Sequence, residues 1–330
     1  MPCSGPGTGR ETLRSRQTRE SLVKIVIAGS SGLIGTALIA ELEAIGHDVT
    51  RLVRPESSGD GIAWDPAAGV IEAGRLEGAD AVINLAGRSI GDRRWTDAEK
   101  RLIVTSRLDT TRLLAATLAG LDRKPAVLIN ASAIGIYGNR GNEQLHDDSS
   151  PGEGFFPNLC REWESATAAA ADAGIRVVSL RTGIVLAREG GALGRVLAPF
   201  GPSWLSPFRW GLGGWIGNGR QWWSWISLRD QVRAIVHLLD SGLAGPVNLT
   251  APVPVSNKGF LKAVGRALRR PVWLPIPRFV LRLVLGSGLA EATLFDSQRV
   301  IPSRLTADGF VFEDIDLDAV LSSALGPPQT

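Results

Sequence analysis

Apolar and polar positions change period abruptly near the start of the chain. Residues 24–28, KIVIA, form a short β-branched run that stops at Gly29, and apolar positions then recur at Leu33, Ile34, Leu38 and Leu42, the spacing of a helix. A strand, a tight turn and a helix are expected. A second strand, HDVTRLVR (47–54), follows at once, then IAWDP (62–66) and DAVINLAG (80–87), the last reading as a buried strand. A long helical pattern from Thr96 to Leu121 leads to the strand AVLINASAIGIYG (126–138), a helix from Phe156 to Ala173 and the strand RVVSLRTGIVL (176–186). This alternation predicts an α/β fold built on a doubly wound parallel sheet. Beyond Leu186 the regularity ends. The chain resumes with VNLTAP (247–252), a helix at 256–268 and GFVFEDIDLDAVL (309–321), which read as a smaller α+β subdomain of short helices with one or two strands.

The turn carries chemistry. Gly29, Gly32 and Gly35 are spaced Gly-x-x-Gly-x-x-Gly, so that Gly29, Ser30, Ser31, Gly32, Leu33, Ile34 and Gly35 read as a dinucleotide-binding turn. Glycine serves where the chain turns sharply, where backbone approaches a pyrophosphate, and where the new helix packs tightly on the strand. The helix start offers free N–H groups and a positive dipole end to phosphate. In such sheets ligands sit beyond the carboxyl ends of the strands, which brings Gly29, Arg54, Asn84, Leu85, Ala86, Gly87 and Ser132 to one crevice. The second strand ends Leu52-Val53-Arg54, with no carboxylate before Glu56. An acidic residue there would hold the ribose hydroxyl of NAD, whereas arginine matches the extra phosphate of NADP bidentately. NADP(H) is expected in preference to NAD(H), the other reading of Arg54 being a solvated turn residue.

Composition narrows the class. With 330 residues, 44% hydrophobic and 21% charged, the chain is an ordinary soluble globular protein. No apolar run approaches the ~18 residues of a membrane span, since PIPRFVLRLVLG (275–286) is interrupted by Arg278 and Arg282. The first 21 residues read as a disordered extension. They hold four of the 36 basic and two of the 33 acidic residues, which leaves the remainder balanced at 32 against 31. That balance argues against a nucleic-acid partner, which would want a basic face. Cys3 and Cys160 give no expectation of a disulfide and suit a reducing cytoplasm, and His47, His146 and His237 lie too far apart in sequence to form a metal motif. The expected organisation is an extension (1–21), a nucleotide-binding domain (22–186) to which some later segments return, and a Trp-rich loop with the substrate-side subdomain (187–330).

Six of the ten tryptophans, Trp204, Trp210, Trp215, Trp222, Trp223 and Trp225, fall within 22 residues among glycines and prolines. They could wall an apolar pocket for a small-molecule substrate, clamp a long loop to the core, or form a homodimer contact.

Taken together, IAGSSGLIGTAL, INLAG, RWTDAEKRLIVTSRLDTT, NASAIGIYGNRG, LCREWE, LRTGIVL, GLGGWIGNGRQWWSWI and VIPSRLTADGF resemble the epimerase-like, atypical extended short-chain dehydrogenase/reductase family, with a C-terminal domain of unknown function. The resemblance runs from Leu22 to Gly326. It implies a Rossmann domain binding NAD(P), with an NADP-type cofactor, a C-terminal substrate-side subdomain, and a cofactor contact by Arg107.

Working relatives use a Tyr as proton donor or acceptor and a Lys four residues on, whose ammonium lowers the Tyr pKa and binds the ribose. Reading back from Glu164, those positions hold Phe156 and Cys160. The only tyrosine, Tyr137, belongs to an earlier Tyr-Gly element, and counting back from it places Ala133 at the usual serine position with Ser132 one residue before. Candidate substitutes are Ser132, Tyr137, Cys160, and His146 with Asp147. Each also reads structurally: Tyr137 as a packed residue with its hydroxyl satisfied, Cys160 as a small apolar helix residue, His146-Asp147-Asp148 as an exposed turn. At Ser227 and Arg229 many relatives carry His and an acidic residue, which leaves Asp230 as that segment's substrate-side candidate. Two functions remain open: an NADP-dependent oxidoreductase or epimerase acting on a small carbonyl or hydroxyl substrate, or a catalytically silent NADPH-binding sensor.

Overall fold

The computed structural model describes residues 23–57, 59–91, 93–188, 190–191, 193–194, 208 and 213–325. The N-terminal extension, Trp204 and Trp210 lie outside the described residues. Eight strands form the central sheet: β1 (Lys24–Ala28), β2 (Asp48–Val53), β3 (Ile62–Asp65), β4 (Val70–Ile71), β5 (Ala81–Asn84), β6 (Val127–Ala133), β7 (Arg176–Thr182) and β8 (Gly245–Leu249). Their spatial order is β8-β7-β6-β5-β1-β2-β3-β4, and every pairing is parallel except β3 with β4. The chain walks outward from β1 through β2 to β4, then crosses back to β5 on the other side of β1. The carboxyl ends of β1 and β5 therefore flank a topological switch point, where ligands of such sheets bind.

β1 reads as a continuous apolar run because both its faces are covered. Ile25 and Ile27 pack with Leu38 and Leu42 of α1 (Leu33–Ala44) and with Ile235 and Leu238 of α5 (Leu228–Asp240). Val26 and Ala28 face the opposite layer, against Leu114 and Leu118 of α2 (Asp97–Ala119). Three expected elements are interrupted. The helix from Phe156 becomes α3 (Phe155–Ser165) and α4 (Ala168–Asp172), β6 gives way to a 3₁₀ turn at Ile134–Tyr137, and a strand at Ile184–Leu186 is set off from β7 at Gly183. A side chain at Gly183 would meet the Ser224 carbonyl oxygen at 2.7 Å, so glycine is what allows the two layers to touch there.

Residues after Leu186 return to the large sheet. Ile226, α5, β8, Leu305 and Phe310 all belong to the core on the α1 side. The second core lies in the C-terminal part, where Leu186, Ile216, Trp223, Trp225, Phe260, Val264, Phe295 and Leu321 pack together. Trp223 and Trp225 are buried there, Trp223 edge-on to Phe260 at 5.2 Å, and they hold the loop to this core. Trp215 and Trp222 are half-buried under Lys258 and Arg299. No helix among the described residues is long and apolar enough to cross a membrane.

Candidate dinucleotide site

The turn after β1 shows what each glycine is for. Gly29 has φ +79°, and a Cβ there would lie 2.6 Å from the Leu85 carbonyl, so the turn and the loop after β5 are in direct backbone contact. A Cβ on Gly35 would collide with the Gly29 carbonyl oxygen. Gly32 is different. Its φ is −77°, and a Cβ would meet only Gly29 O at 3.4 Å, ordinary contact. The fold itself does not require glycine at 32. Gly32 is also the N-cap of α1, without a capping side chain, and no acidic residue stands in the first turn. Thr96, Ser227 and Ser256, by contrast, cap their helices with side-chain oxygens. α1 thus begins without a side-chain cap, beside a position that carries no side chain, an arrangement that suits an anion.

The opposite wall is the loop after β5. Asn84 and Asn130 are fully buried and bonded to each other at 2.7 Å, Asn84 Nδ2 also reaches Thr111 Oγ1, and Trp163 Nε1 donates to the same hydroxyl. Asn84 Oδ1 accepts from Ala86 N–H, which shapes Leu85-Ala86-Gly87. The loop is lashed to α2: Arg88 N–H donates to Ser106 Oγ, Arg88 grips Glu99 through two bonds of 2.6 and 3.2 Å, and Arg107 donates to the Arg88 carbonyl. Arg107 is buried, and burial pulls its guanidinium down to about 10. At the far end of the crevice Arg54 follows β2 with its side chain 55% exposed and only a loose contact, 3.9 Å, to Glu56.

The sequence candidates for acid or base chemistry are all engaged. Ser132 Oγ donates to Glu164 Oε1, which is gripped together with Oε2 by Arg181 through two bonds of 2.9 Å each. Tyr137 is fully buried, its hydroxyl 2.7 Å from Asn248 Oδ1 and accepting from Arg181 Nη1. Burial pushes its pKa up against the opposing pull of Arg181. Cys160 is buried, and burial followed by Glu164 pushes its thiol up to about 12. Phe156 stacks on Trp95 at 5.8 Å and fills the space that Gly135 leaves beside the 3₁₀ turn.

The turn at 146–148 departs from the exposed reading. Asp147 is 2% exposed, its Oδ1 accepting from Asn248 N–H of β8 and its Oδ2 from Arg304 N–H, while His146 Nδ1 meets Ser303 Oγ. Asp230 is equally committed, accepting from the Glu313 and Asp314 amides and from Arg233. Glu164 and Arg181 form a buried pair at the ends of β6 and β7 that sequence reasoning missed; the signal was the pairing of a helix glutamate with the arginine of LRTG, 17 residues apart.

A parallel sheet with this order, a glycine turn at its switch point and an uncapped helix beyond it define a Rossmann-type dinucleotide-binding protein. The chain matches the NAD dependent epimerase/dehydratase family over residues 25–249 and a domain of unknown function, DUF1731, over 276–324. It belongs to the NAD dependent epimerase/dehydratase family. An epimerase family protein of Mycobacterium leprae is 42% identical over 306 residues, covering 92% of this chain and 96% of its own. The structure of the human epimerase family protein SDR39U1 with NADPH superposes with a TM-score of 0.81 at 34% identity, covering 92% of this chain and 99% of that one. The nucleoside-diphosphate sugar epimerase from Corynebacterium glutamicum matches with a TM-score of 0.73 at 34% identity, over 93% of this chain and 59% of that one.

Proposed function

We propose that this chain is an NADP(H)-dependent oxidoreductase or epimerase-like protein of the extended short-chain dehydrogenase type, working on a small carbonyl or hydroxyl substrate without the Tyr-x-x-x-Lys pair. Gly32 carries the cofactor half: its missing side chain answers to no neighbour in the protein, and the helix behind it starts uncapped. Gly29 to Gly35 would hold the pyrophosphate, Leu85 to Gly87 and Arg107 the middle of the cofactor, and exposed Arg54 the 2′-phosphate that distinguishes NADP from NAD. Binding of NADPH by the human relative supports the same choice.

Bound nicotinamide would supply or accept hydride. The chain's part is to position it. Ser132 and Tyr137 are held in side-chain bonds and Cys160 keeps its proton, so the proton that accompanies hydride would be exchanged with water or a group outside the usual pair. A single buried, reduced thiol in the body supports a cytoplasmic setting.

A second reading, an NADPH-binding sensor without turnover, is favoured by the same commitment of every acid/base candidate. Titration with NADPH and NADH, following tryptophan quenching in wild type and Arg54→Ala, tests the cofactor half: tight NADPH binding weakened in the variant is expected, and no binding of either nucleotide overturns both readings. Oxidation of NADPH with a panel of aldehydes, ketones and quinones separates the two, since turnover of any of them excludes the sensor.

A further inference from the structure

Charge is nearly balanced over the body of the chain, but it is not evenly spread. From 241 to 290 there is no Asp or Glu, while Lys258, Lys262, Arg266, Arg269, Arg270, Arg278 and Arg282 all fall within that stretch. They belong to α6 (Asn257–Ala267), the turn that follows it, and α7 (Arg278–Leu285), with β9 (Val272–Ile276) between the two helices. Lys262, Arg266, Arg269 and Arg270 line an open cleft of about 360 Å³ between the end of α6 and the start of β9. The carboxylates that meet these cations come from outside the stretch: Asp318 bonds Arg266 and Glu291 bonds Arg282, each at 2.7 Å, with Asp316 near the first and Asp296 near Arg278. Among the described residues the cations outnumber them, and this face is positive.

The same stretch leaves its large apolar residues in water. Trp273, Leu274, Phe279 and Leu283 are between 62% and 75% exposed, so that four of the ten large apolar side chains exposed among the described residues fall in one short segment. In α7 the cause is plain. Leu281 is buried in the second core, and positions two residues to either side lie on the far face of a helix, so Phe279 and Leu283 point outward beside Arg278 and Arg282. The helix is fixed to the body, since Arg94, from the loop before α2, donates to the Leu283 carbonyl at 3.0 Å. Among the described strands β9 pairs with Gly213–Ile216 alone, and Pro271, Pro275 and Pro277 remove amide donors in and around it.

We infer that this face docks on an anionic lipid surface, with Trp273, Leu274, Phe279 and Leu283 entering the boundary between headgroups and acyl chains and the cations of the cleft meeting lipid phosphates. Basic residues flanking exposed Trp, Phe and Leu are the makeup of a segment that lies in the membrane interface without crossing it. Charge argues against a second copy of the chain, because a two-fold contact sets the cations of one face against those of the other. The prolines argue against a strand added to the free edge of β9. A nucleic acid would satisfy the cations and leave Leu274 and Leu283 in water. Docking of this kind needs neither a bound nucleotide nor a spanning helix.

Sedimentation of the full-length protein with vesicles provides the test. Co-sedimentation is expected with phosphatidylcholine and phosphatidylglycerol in equal parts and little with phosphatidylcholine alone, with release on raising the salt, because screening shortens the reach of the cations. Phe279→Ser with Leu283→Ser should weaken partitioning about tenfold or more, the effect of withdrawing two apolar side chains. Lys262→Glu with Arg269→Asn should weaken it by a similar factor at low salt. Asparagine suits position 269, whose φ is +53°. All four positions are exposed, and thermal melts check that the variants fold. Vesicles containing brominated phosphatidylglycerol should quench tryptophan fluorescence in the wild type, and Trp273→Phe should reduce that quenching. Absence of co-sedimentation with the anionic vesicles overturns the inference, as does equal binding to uncharged vesicles or unchanged partitioning in either folded double variant. Dimerisation abolished by Phe279→Ser with Leu283→Ser, without vesicle binding, overturns it in favour of a second copy. If the double variants do not fold, the quenching comparison decides, and quenching unchanged in Trp273→Phe counts as refutation.

Discussion

Ser132 Oγ lies 2.7 Å from Glu164 Oε1, and that carboxylate is simultaneously the partner of buried Arg181. The serine closest to the catalytic position of related enzymes is thus part of a buried ion-pair network that joins β6, α3 and β7. Glu164→Gln would leave Arg181 uncompensated, and the expected loss is about 3–5 kcal/mol of unfolding free energy. Ser132→Ala should cost only about 1 kcal/mol. Urea unfolding of both variants checks the ratio, and equal losses would contradict the network.

Two of the turn glycines should separate stability from binding. Gly35→Ala meets the Gly29 carbonyl and is expected to destabilise strongly, whereas Gly32→Ala meets nothing closer than 3.4 Å. Its stability cost should stay near that of an N-cap change, ~1 kcal/mol or less. NADPH affinity should nevertheless fall at least tenfold, because the new methyl stands where backbone must approach phosphate. Paired thermal melts and nucleotide titrations measure both effects.

Asp296 imposes a pH dependence. Burial, then Glu291, push its carboxyl up to about 6, against the pull of Arg278. The folded state therefore favours the protonated form. Its contribution to stability is fully present below the unfolded carboxylate range and is lost as pH rises through 6. Asp296→Asn should be more stable than wild type at pH 8, by roughly 1–2 kcal/mol after allowance for partial solvent screening. The difference should vanish near pH 4, and a difference independent of pH would exclude Asp296 as its source.

Cys160 should be chemically silent while the chain is folded. With the thiol pushed up to about 12 and the side chain buried, alkylation at neutral pH should spare Cys160 until denaturant is added, whatever happens at Cys3. Mass spectrometry of the labelled peptides distinguishes the two sites.

Local structure was readable from the sequence because it is written in neighbours. The turn from Gly29 to Gly35, the loop Leu85-Ala86-Gly87 and the end of β2 at Arg54 each follow from spacing and strand order. What escaped was long-range. Asp147 binds Asn248, 101 residues away, and Arg304, 157 residues away, so a segment that reads as an exposed turn is buried. β8 returns to the sheet after more than 60 residues of other structure, and no periodicity within 176–186 announces it. The interruption at Gly183 likewise depends on Ser224, which only the folded chain brings near.

The bare start of α1 also ties the proposed binding to stability. A helix that lacks its own cap is completed by whatever anion settles there, so occupancy and folding free energy become one coupled quantity. With a dinucleotide seated there, as proposed, the melting temperature would climb with the logarithm of its free concentration once the site begins to fill. On the proposed reading the polypeptide would act as a gauge, its lifetime under thermal stress following the supply of a small molecule.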